Sequence, residues 1–271
     1  MVAIDLSGKS VLITGGTRGI GLASALELGK AGARSYLTYK WGSADEAEIM
    51  AQFDAAGAPR PVLIHADVSV DEDTDLVIER IAETESGIDI FISNVGFAAT
   101  IKSLADYKKR SLFKTLEYST WPLIAYTQKL HERFGRYPEK IIGISSDGPD
   151  HFYQGYDYVA ASKALLEFFS KYLSVHLLKS GSRVNVVRFG TVRTDSFDAI
   201  FGEQYFEYIR SIGADERMVL DTESCGKTIL ALCSGLLDAV NGQILSVDYG
   251  LPFQDNTMMR YLASRNDPQS L

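Results

Sequence analysis

The chain has 271 residues, of which 46% are hydrophobic and 23% charged, and its formal net charge is −8 at pH 7. This length and composition predict one soluble domain over residues 1–271, and no apolar run reaches the roughly 20 residues that a membrane-spanning helix needs. The negative charge gives no electrostatic reason to expect a nucleic-acid partner.

The N-terminal sequence MVAIDLSGKSVLITGG lacks the basic segment and the apolar core of a signal peptide, so we expect a cytoplasmic protein. Cys225 and Cys233 lie eight residues apart in a stretch with helical character. That spacing favours packing over a disulfide or a metal site. The 4 histidines do not have metal-ligand spacing either, and we expect no bound metal.

Apolar segments bounded by turn residues recur along the chain and predict β-strands. They cover residues 10–15, 34–39, 61–67, 88–94, 140–146, 183–190 and 242–248. Most are separated by segments with helical periodicity, such as IGLASALELGKAG, and this alternation is typical of parallel strands joined by crossover helices. We therefore predict a doubly wound α/β fold, with a mainly parallel Rossmann-type sheet and helices on both faces.

The first predicted strand runs into the glycine-rich sequence TGGTRGIG, residues 14–21. Glycines allow a tight turn and a close approach to a pyrophosphate, and the helix that follows offers free amides to it. Such a loop can also be a plain strand-to-helix turn, but a strand before it and a helix after it favour dinucleotide binding. The residues of this loop assigned to the cofactor are Gly15, Thr17, Arg18, Gly19, Ile20 and Gly21.

Three later strand ends carry further candidate cofactor residues, since ligands of open α/β sheets bind at the carboxyl ends of the strands. These candidates are Asp67, Val68, Asn94, Gly96, Gly190, Val192 and Thr194. Sites selective for NAD usually place an acidic side chain after the second strand. Here that strand is followed by Lys40, and Arg18 lies in the glycine loop, so NADPH is predicted and NADH is the alternative. The alternative is that Arg18 and Lys40 are solvated surface charges with no role in cofactor binding.

Together, TGGTRGIG, the pair Asp67-Val68, SNVG at 93–96, the pair Ser162-Lys163 and VDYG at 247–250 resemble the short-chain dehydrogenase/reductase family. The resemblance extends from Leu6 to about Gly250. It implies that Lys163 binds the nicotinamide ribose, that Thr194 meets the carboxamide, and that Asn94 and Gly96 border the cofactor. It also implies a homotetramer or homodimer, with helices in 105–130 and 157–179 as packing faces.

Most members of that family carry a tyrosine four residues before the lysine, but in YDYVAASKALLEFF that position is Val159. On a helix, a residue seven positions before Lys163 returns to within about 20° of it. This places Tyr156 on the same stripe of the helix, whereas Tyr158 points away and Tyr153 precedes the helix. Tyr156 is therefore the predicted acid, and a tyrosine that merely covers apolar surface is the alternative.

This longer tyrosine spacing resembles the enoyl-acyl-carrier-protein reductase branch. Ser119 stands where carbonyl-reducing relatives usually have asparagine, and Ser146 resembles the NADPH-dependent Bacillus-type members. The resemblance implies reduction of the C=C bond of an enoyl thioester carried on acyl carrier protein or CoA. Tyr156 then stabilises the enolate, with Lys163, Ser146 and Ser119 in the catalytic set. A turn residue at 146 and a packing residue at 119 are the alternatives.

Two other functions are open at this stage. A ketone or quinone reductase would use the same cofactor with Ser146 and Tyr156 polarising a carbonyl, and a cofactor-binding protein without turnover would account for Val159. Asp147 and His151 are further candidates for the substrate mouth. The aromatic-rich segment 191–222 predicts a lid over the substrate, with an amphipathic helix packed on the core as the alternative.

Overall fold

A computed structural model describes residues 3–41, 45–194, 197, 198, 202–211, 216–254 and 258. The strands are β1 (Ser10–Ile13), β2 (Arg34–Tyr39), β3 (Val62–His65), β4 (Ile90–Ser93), β5 (Lys140–Ser146), β6 (Arg183–Phe189) and β7 (Ile244–Val247). They form one sheet in the order β3-β2-β1-β4-β5-β6-β7, and all paired neighbours are parallel. Every segment predicted as a strand is confirmed, with some ends shorter by one or two residues.

The helices that connect these strands lie on both faces of the sheet. They are α1 (Gly19–Lys30), α2 (Glu46–Ala55), α3 (Asp71–Ala82), α4 (Lys109–Ser119), α5 (Trp121–Phe134), α6 (Asp157–His176), α7 (Gly202–Ser211), α8 (Thr222–Cys233) and α9 (Leu251–Gln254). Pro122 lies in the first turn of α5. Proline is tolerated there because the first amides of a helix have no partner within it.

The core consists of two apolar layers, because successive side chains of a strand point to opposite faces. Val11 and Ile13 of β1 pack on one face, with side chains of α1, α2 and α8. Leu12 packs on the other face, with side chains of α3, α5 and α6. Cys225 and Cys233 are buried free thiols in the first layer. The predicted doubly wound fold is confirmed.

The sheet reverses its winding direction between β1 and β4. The helices on either side of that point diverge and leave a crevice at the carboxyl ends of β1 and β4. Proteins with this architecture bind their ligands in such a crevice. Within the ranges given above, no helix has both the length and the apolar character needed to cross a membrane.

The predicted lid, residues 191–222, is described only in part, because 195, 196, 199–201 and 212–215 lie outside the described residues. Val192 forms a bridge with Leu220, which joins the two ends of the segment beside β6. Between them, α7 buries Phe206 and Ile209. These buried side chains agree with an amphipathic helix packed on the protein, and closure over a substrate stays a prediction.

Candidate active site

A cleft of about 250 Å³ lies at the carboxyl ends of β1, β2, β3 and β4, at the switch point of the sheet. It is lined by most of the residues that the sequence assigns to the cofactor. Those residues are Gly15, Thr17, Arg18, Gly19, Ile20, Lys40, Asp67, Val68, Asn94, Gly96 and Thr194. Residues from four separate strand ends therefore meet in one place, as the strand-end rule predicts.

The glycine loop forms a turn that only glycine can make at its tightest point. A Cβ atom on Gly21 would lie 2.4 Å from the Gly15 carbonyl oxygen. Asn94 braces this turn, because its Nδ2 donates to the carbonyl oxygens of Thr14 at 3.1 Å and Gly15 at 3.0 Å. In the described structure no side chain caps the start of α1. Its first amides are therefore available to an anion, which fits the pyrophosphate of a dinucleotide.

Three predicted cofactor residues lie behind the cleft and support its backbone. Gly21 packs beneath the turn, the Gly190 amide donates to β7 at 3.0 Å, and Val192 pairs with the segment before α8. Thr194, in contrast, lines the cleft. A Cβ atom on Gly19 would lie 3.6 Å from Thr194 Cγ2, so the segment after β6 reaches the glycine loop.

Lys40 lies at the end of β2 in an ion pair with Asp67. The Lys40 ammonium also donates to the Tyr118 hydroxyl at 2.8 Å and lies 4.5 Å from the centre of the Trp41 ring. Burial opposes ionisation of Asp67, but Lys40, Ser69 and Tyr118 together hold the pKa of its carboxyl below the ordinary value. This end of the cleft therefore carries an ion pair, in which the Lys40 ammonium is held against the ionised Asp67 carboxylate.

Sequence reasoning missed several residues that line this cleft. They are Thr38, Tyr39, Trp41, Ala66, Val95 and Tyr118. All but one adjoin predicted residues at strand ends, so extending the strand-end rule by a residue or two would have found them. Tyr118 comes from α4, and its hydroxyl donates to Asp67 at 2.9 Å across the cleft. Its only sequence signal was the neighbouring candidate Ser119.

Tyr156, the predicted acid, was expected on the same helical stripe as Lys163. It is instead the residue just before α6, which begins at Asp157. The Tyr156 carbonyl oxygen accepts the first helical hydrogen bond, from Ala160 N at 2.8 Å. Its phenol donates to Ser146 Oγ at 3.2 Å, and its ring packs directly over Gly148. Burial raises the pKa of the phenol, which the bond to Ser146 only partly opposes. The group therefore keeps its proton at neutral pH and can donate it.

The two neighbouring tyrosines have other partners. Tyr158 is 3% exposed, and its hydroxyl accepts a hydrogen bond from Lys108 N at 2.5 Å. Tyr153 precedes the helix, as predicted, and donates to Asp147 at 2.6 Å. Val159 is buried, with 5% of its surface exposed. Of the three tyrosines, Tyr156 is the one that meets the end of β5.

Lys163 connects the cofactor cleft to the strand that carries Ser146. Its ammonium donates to the Ile144 carbonyl oxygen of β5 at 2.7 Å. It also lies beside Gly96, where an added Cβ would be 3.6 Å from Nζ. Burial lowers the pKa of Lys163 to about 8, and the nearby Glu167 carboxylate opposes this shift.

Ser119 lies at the end of α4 and is 1% exposed. Its Oγ accepts a hydrogen bond from the backbone N of Phe97 at 3.0 Å. This contact holds the loop after β4, which carries Gly96. The structure therefore gives Ser119 a supporting contact, in line with the packing alternative.

A second cavity, of about 440 Å³, opens beside Tyr156. The residues that line it are Tyr107, Gly148, Pro149, Asp150, His151, Phe152, Tyr153, Tyr156, Asp157 and Ala160. His151, predicted at the substrate mouth, lines this cavity, and Asp147 lies 3.8 Å from its Nδ1. Tyr156 thus lines a space large enough for a substrate group. It lies next to the carboxyl end of β5, the strand that Lys163 also contacts.

An ion pair beneath this cavity was not foreseen. Arg188 of β6 binds Glu167 of α6 through two bonds, Nε to Oε1 at 2.6 Å and Nη2 to Oε2 at 2.5 Å. Ser145 donates to the same carboxylate at 2.7 Å, and Arg188 also reaches Asp150 in the loop after β5. Only 14% of the Arg188 side chain and 6% of the Glu167 side chain are exposed. The available signal was a charged residue inside the apolar strand RVNVVRF.

Similar proteins are found among characterised reductases. The chain is 26% identical over 245 residues to 1-cyclohexenylcarbonyl-CoA reductase of Streptomyces collinus, covering 89% of this chain and 85% of the relative. It is also 26% identical over 251 residues to the enoyl-(acyl-carrier-protein) reductase (NADH) FabI of Aquifex aeolicus, covering 90% and 92%.

Solved structures agree on the architecture. A short-chain dehydrogenase from Burkholderia cenocepacia in complex with NADP has a TM-score of 0.77 at 27% identity, covering 90% of this chain and 97% of that chain. L-sorbose reductase from Gluconobacter frateurii, complexed with NADPH and L-sorbose, has a TM-score of 0.82 at 23% identity, covering 91% and 97%. The family model described as enoyl-(acyl carrier protein) reductase matches residues 15–252. With this match and the nucleotide-type cleft, the chain belongs to the short-chain dehydrogenase/reductase family of nicotinamide-dependent oxidoreductases.

Proposed function

We propose that this protein is an NADPH-dependent reductase that reduces the C=C bond of an enoyl thioester, carried on acyl carrier protein or on CoA. The observation that carries the proposal is the position of the Tyr156 phenol, protonated and bonded to Ser146 at the end of β5. The usual tyrosine position is occupied by the buried Val159. The family description and the two reductases compared above support a substrate of this class.

A bound nicotinamide would supply hydride to the β-carbon of the substrate, and a proton taken up from water would complete the reduction at the α-carbon. Negative charge then develops on the thioester oxygen, several bonds from the carbon attacked. Tyr156 donates a hydrogen bond to this oxygen, and a donor fixed in advance stabilises the charge without reorganising. Ser146 orients the phenol through the 3.2 Å contact. Lys163 lies beside Gly96 at the cleft, where it can hold the ribose and add positive charge.

Reduction of a ketone or quinone is the second candidate function. It is favoured by the same two hydroxyls, because Ser146 and Tyr156 are close enough to bind one carbonyl oxygen together. A protein that binds NADPH without turnover is the third. Tight NADPH binding without oxidation across a broad substrate panel would favour that function.

Product analysis tests the proposal directly. NADPH oxidation is followed with crotonyl-CoA, longer enoyl thioesters and ketone substrates, and the products are identified by mass spectrometry. A saturated acyl chain supports enoyl reduction, whereas an alcohol supports the second candidate. Inactivity of a folded, NADPH-binding sample toward all the enoyl thioesters contradicts the proposal.

Preference for NADPH over NADH is proposed because Arg18 lines the cleft and Lys40, not an acid, follows β2. Arg18→Ala is expected to weaken NADPH binding about 10-fold to 100-fold, since a hydrogen bond between charged groups contributes about 1.5–3 kcal/mol. NADH binding should change by less than about threefold, because NADH lacks the phosphate. Calorimetry with both cofactors measures this. Arg60→Ala, in a surface pair with Asp54, is the control, and equal weakening of both cofactors would contradict the prediction.

Lys163 is expected to give kcat/KM a basic limb with an apparent pKa of about 8. Below that pH the ammonium is charged and stabilises the developing anion, and above it the neutral amine does not. The pH profile of kcat/KM reports groups of the free enzyme. In Lys163→Arg the limb should move beyond the accessible range, because arginine stays protonated. A limb that is unchanged in Lys163→Arg would assign the titration to another group.

A homotetramer or homodimer is also part of the proposal. Phe168, Tyr172 and Val175 of α6 are 50%, 56% and 73% exposed and lie along one side of the helix. Exposed apolar side chains that cluster on one helix are typical of subunit interfaces. This face lies within the range 157–179 that the sequence resemblance implies as a packing face.

A further inference from the structure

Four of the ten residues that line the second cavity carry a Phe or Tyr ring. These rings belong to Tyr107, Phe152, Tyr153 and Tyr156. Phe152 is 86% exposed, Tyr153 47% and Tyr107 46%. Folding alone does not account for several large rings exposed around one opening, and such surfaces usually bind a ligand.

Carboxylates hold two of these rings in place. Asp157, the first residue of α6, accepts a hydrogen bond from the Tyr107 hydroxyl at 2.5 Å. Asp147, next to Ser146, accepts one from the Tyr153 hydroxyl at 2.6 Å. Tyr153 in turn lies edge-on to Tyr156, with 5.9 Å between ring centres. A ring fixed at its hydroxyl has lost most of its rotational freedom before a ligand arrives, which lowers the entropic cost of binding.

The loop that carries Phe152 and Tyr153 is itself tied to the protein at two points. Asp150 pairs with Arg188, which is bound to the buried Glu167. Gly155 has a left-handed backbone with φ +79, and a Cβ there would lie 2.7 Å from the Ile101 carbonyl oxygen. The loop is therefore fixed both to the sheet and to the segment before Tyr107.

We propose that this cavity is a rigid slot for a planar ring, so that the preferred substrates carry an aromatic or cyclic group next to the reacting double bond. The inference rests on the proposed function, because Tyr156 then contacts the reacting part while the rings of Tyr107 and Phe152 contact the planar group. Contacts between aromatic rings contribute binding energy beyond that of the buried apolar area. A linear acyl chain gains binding energy from the buried area alone.

The test compares cinnamoyl-CoA with trans-2-nonenoyl-CoA, which has the same number of acyl carbons in a linear chain. The measured quantity is the ratio of their kcat/KM values in each variant, divided by the wild-type ratio. Intrinsic differences in reactivity cancel in this quotient. Phe152→Leu and Tyr107→Leu should each lower the ratio about threefold to tenfold, as expected for the loss of one ring contact.

Two further variants serve as controls. One separates the loss of the ring from the loss of the bond that orients it, and the other tests for a general effect of removing an exposed ring. Tyr107→Phe keeps the ring but loses the bond to Asp157, and it should lower the ratio by less than Tyr107→Leu does. Phe253→Leu removes a ring of α9 that is 92% exposed and lines neither the cleft nor this cavity, and it should leave the ratio unchanged. Equal ratios in Phe152→Leu, Tyr107→Leu and Phe253→Leu would overturn the slot.

If neither thioester reacts, the result counts against the proposed function but not against the slot. A binding measurement then tests the slot. The probe is then 2-naphthol, titrated by calorimetry into the protein saturated with NADP⁺. Phe152→Leu should weaken its binding about threefold or more, and Phe253→Leu should not. Undetectable binding to the wild-type protein, or binding equally affected by both variants, would overturn the slot whatever the reaction.

Discussion

Tyr156→Phe is expected to lower kcat/KM by about 10²-fold to 10³-fold, the usual cost of removing one donor to a developing oxyanion. The substitution removes only the hydroxyl, so the ring still packs over Gly148 and the fold should be retained. NADPH affinity should change little, because Tyr156 does not line the cofactor cleft. Steady-state kinetics with the reactive thioester, together with NADPH titration, measure both quantities.

Tyr158→Phe is the matched control for this experiment. It also removes a single phenolic hydroxyl, but one whose bonds are to the backbone of Lys108. We expect near-normal kcat/KM and a loss of about 1 kcal/mol in stability, the typical contribution of one hydrogen bond. If Tyr158→Phe loses activity while Tyr156→Phe retains it, the acid is not Tyr156.

Arg188→Met is expected to cost about 3–5 kcal/mol in the free energy of unfolding at pH 7, because it leaves the Glu167 carboxylate buried without its partner. Glu167 is 6% exposed on its side chain and receives two bonds from Arg188, so Ser145 alone cannot replace them. The hydrogen bonds to Glu167 raise the pKa of Arg188, which keeps the wild-type pair ionised. Urea unfolding followed by circular dichroism measures the loss.

The double variant Arg188→Met with Glu167→Leu should recover most of that stability, because an apolar pair of similar size removes both charges. Asp150→Asn weakens the exposed ion pair between Asp150 and Arg188. Asp238→Asn, which weakens the exposed pair between Asp238 and Lys140, is the control. Asp150 and Asp238 are each 59% exposed, and each pairs with a cation of a central strand, Arg188 or Lys140. Both should change stability by less than about 1 kcal/mol. A double variant as unstable as Arg188→Met would contradict this account of the pair.

The strands and the glycine loop could be predicted because their causes are local. Val11, Leu12 and Ile13 form an apolar run because both faces of a parallel sheet are covered. Gly21 is required by the close approach of the Gly15 carbonyl, a constraint within the turn itself. Strand ends were predicted too long, as for residues 61–67 against Val62–His65, because the chain leaves the ladder there to form the cleft.

The candidate site was predictable where strand ends supply it and unpredictable where packing between distant elements does. Tyr118 reaches Asp67 only because α4 crosses the carboxyl edge of the sheet. Arg188 meets Glu167 only because β6 lies beside β5, beneath α6. The surrounding residues do not identify the partner in either contact, since that partner depends on which elements become neighbours.

The sequence by itself determined the family, the fold and most of the residues that line the cofactor cleft, since each follows from short motifs and from strand and helix periodicity. Only the tertiary structure decided which hydroxyl meets Tyr156, how Lys163 is buried, and that Tyr107 and Phe152 line one cavity. Side-chain pairing and burial depend on contacts between segments far apart in the chain. Those contacts are set by the packing of whole elements, which local patterns do not encode.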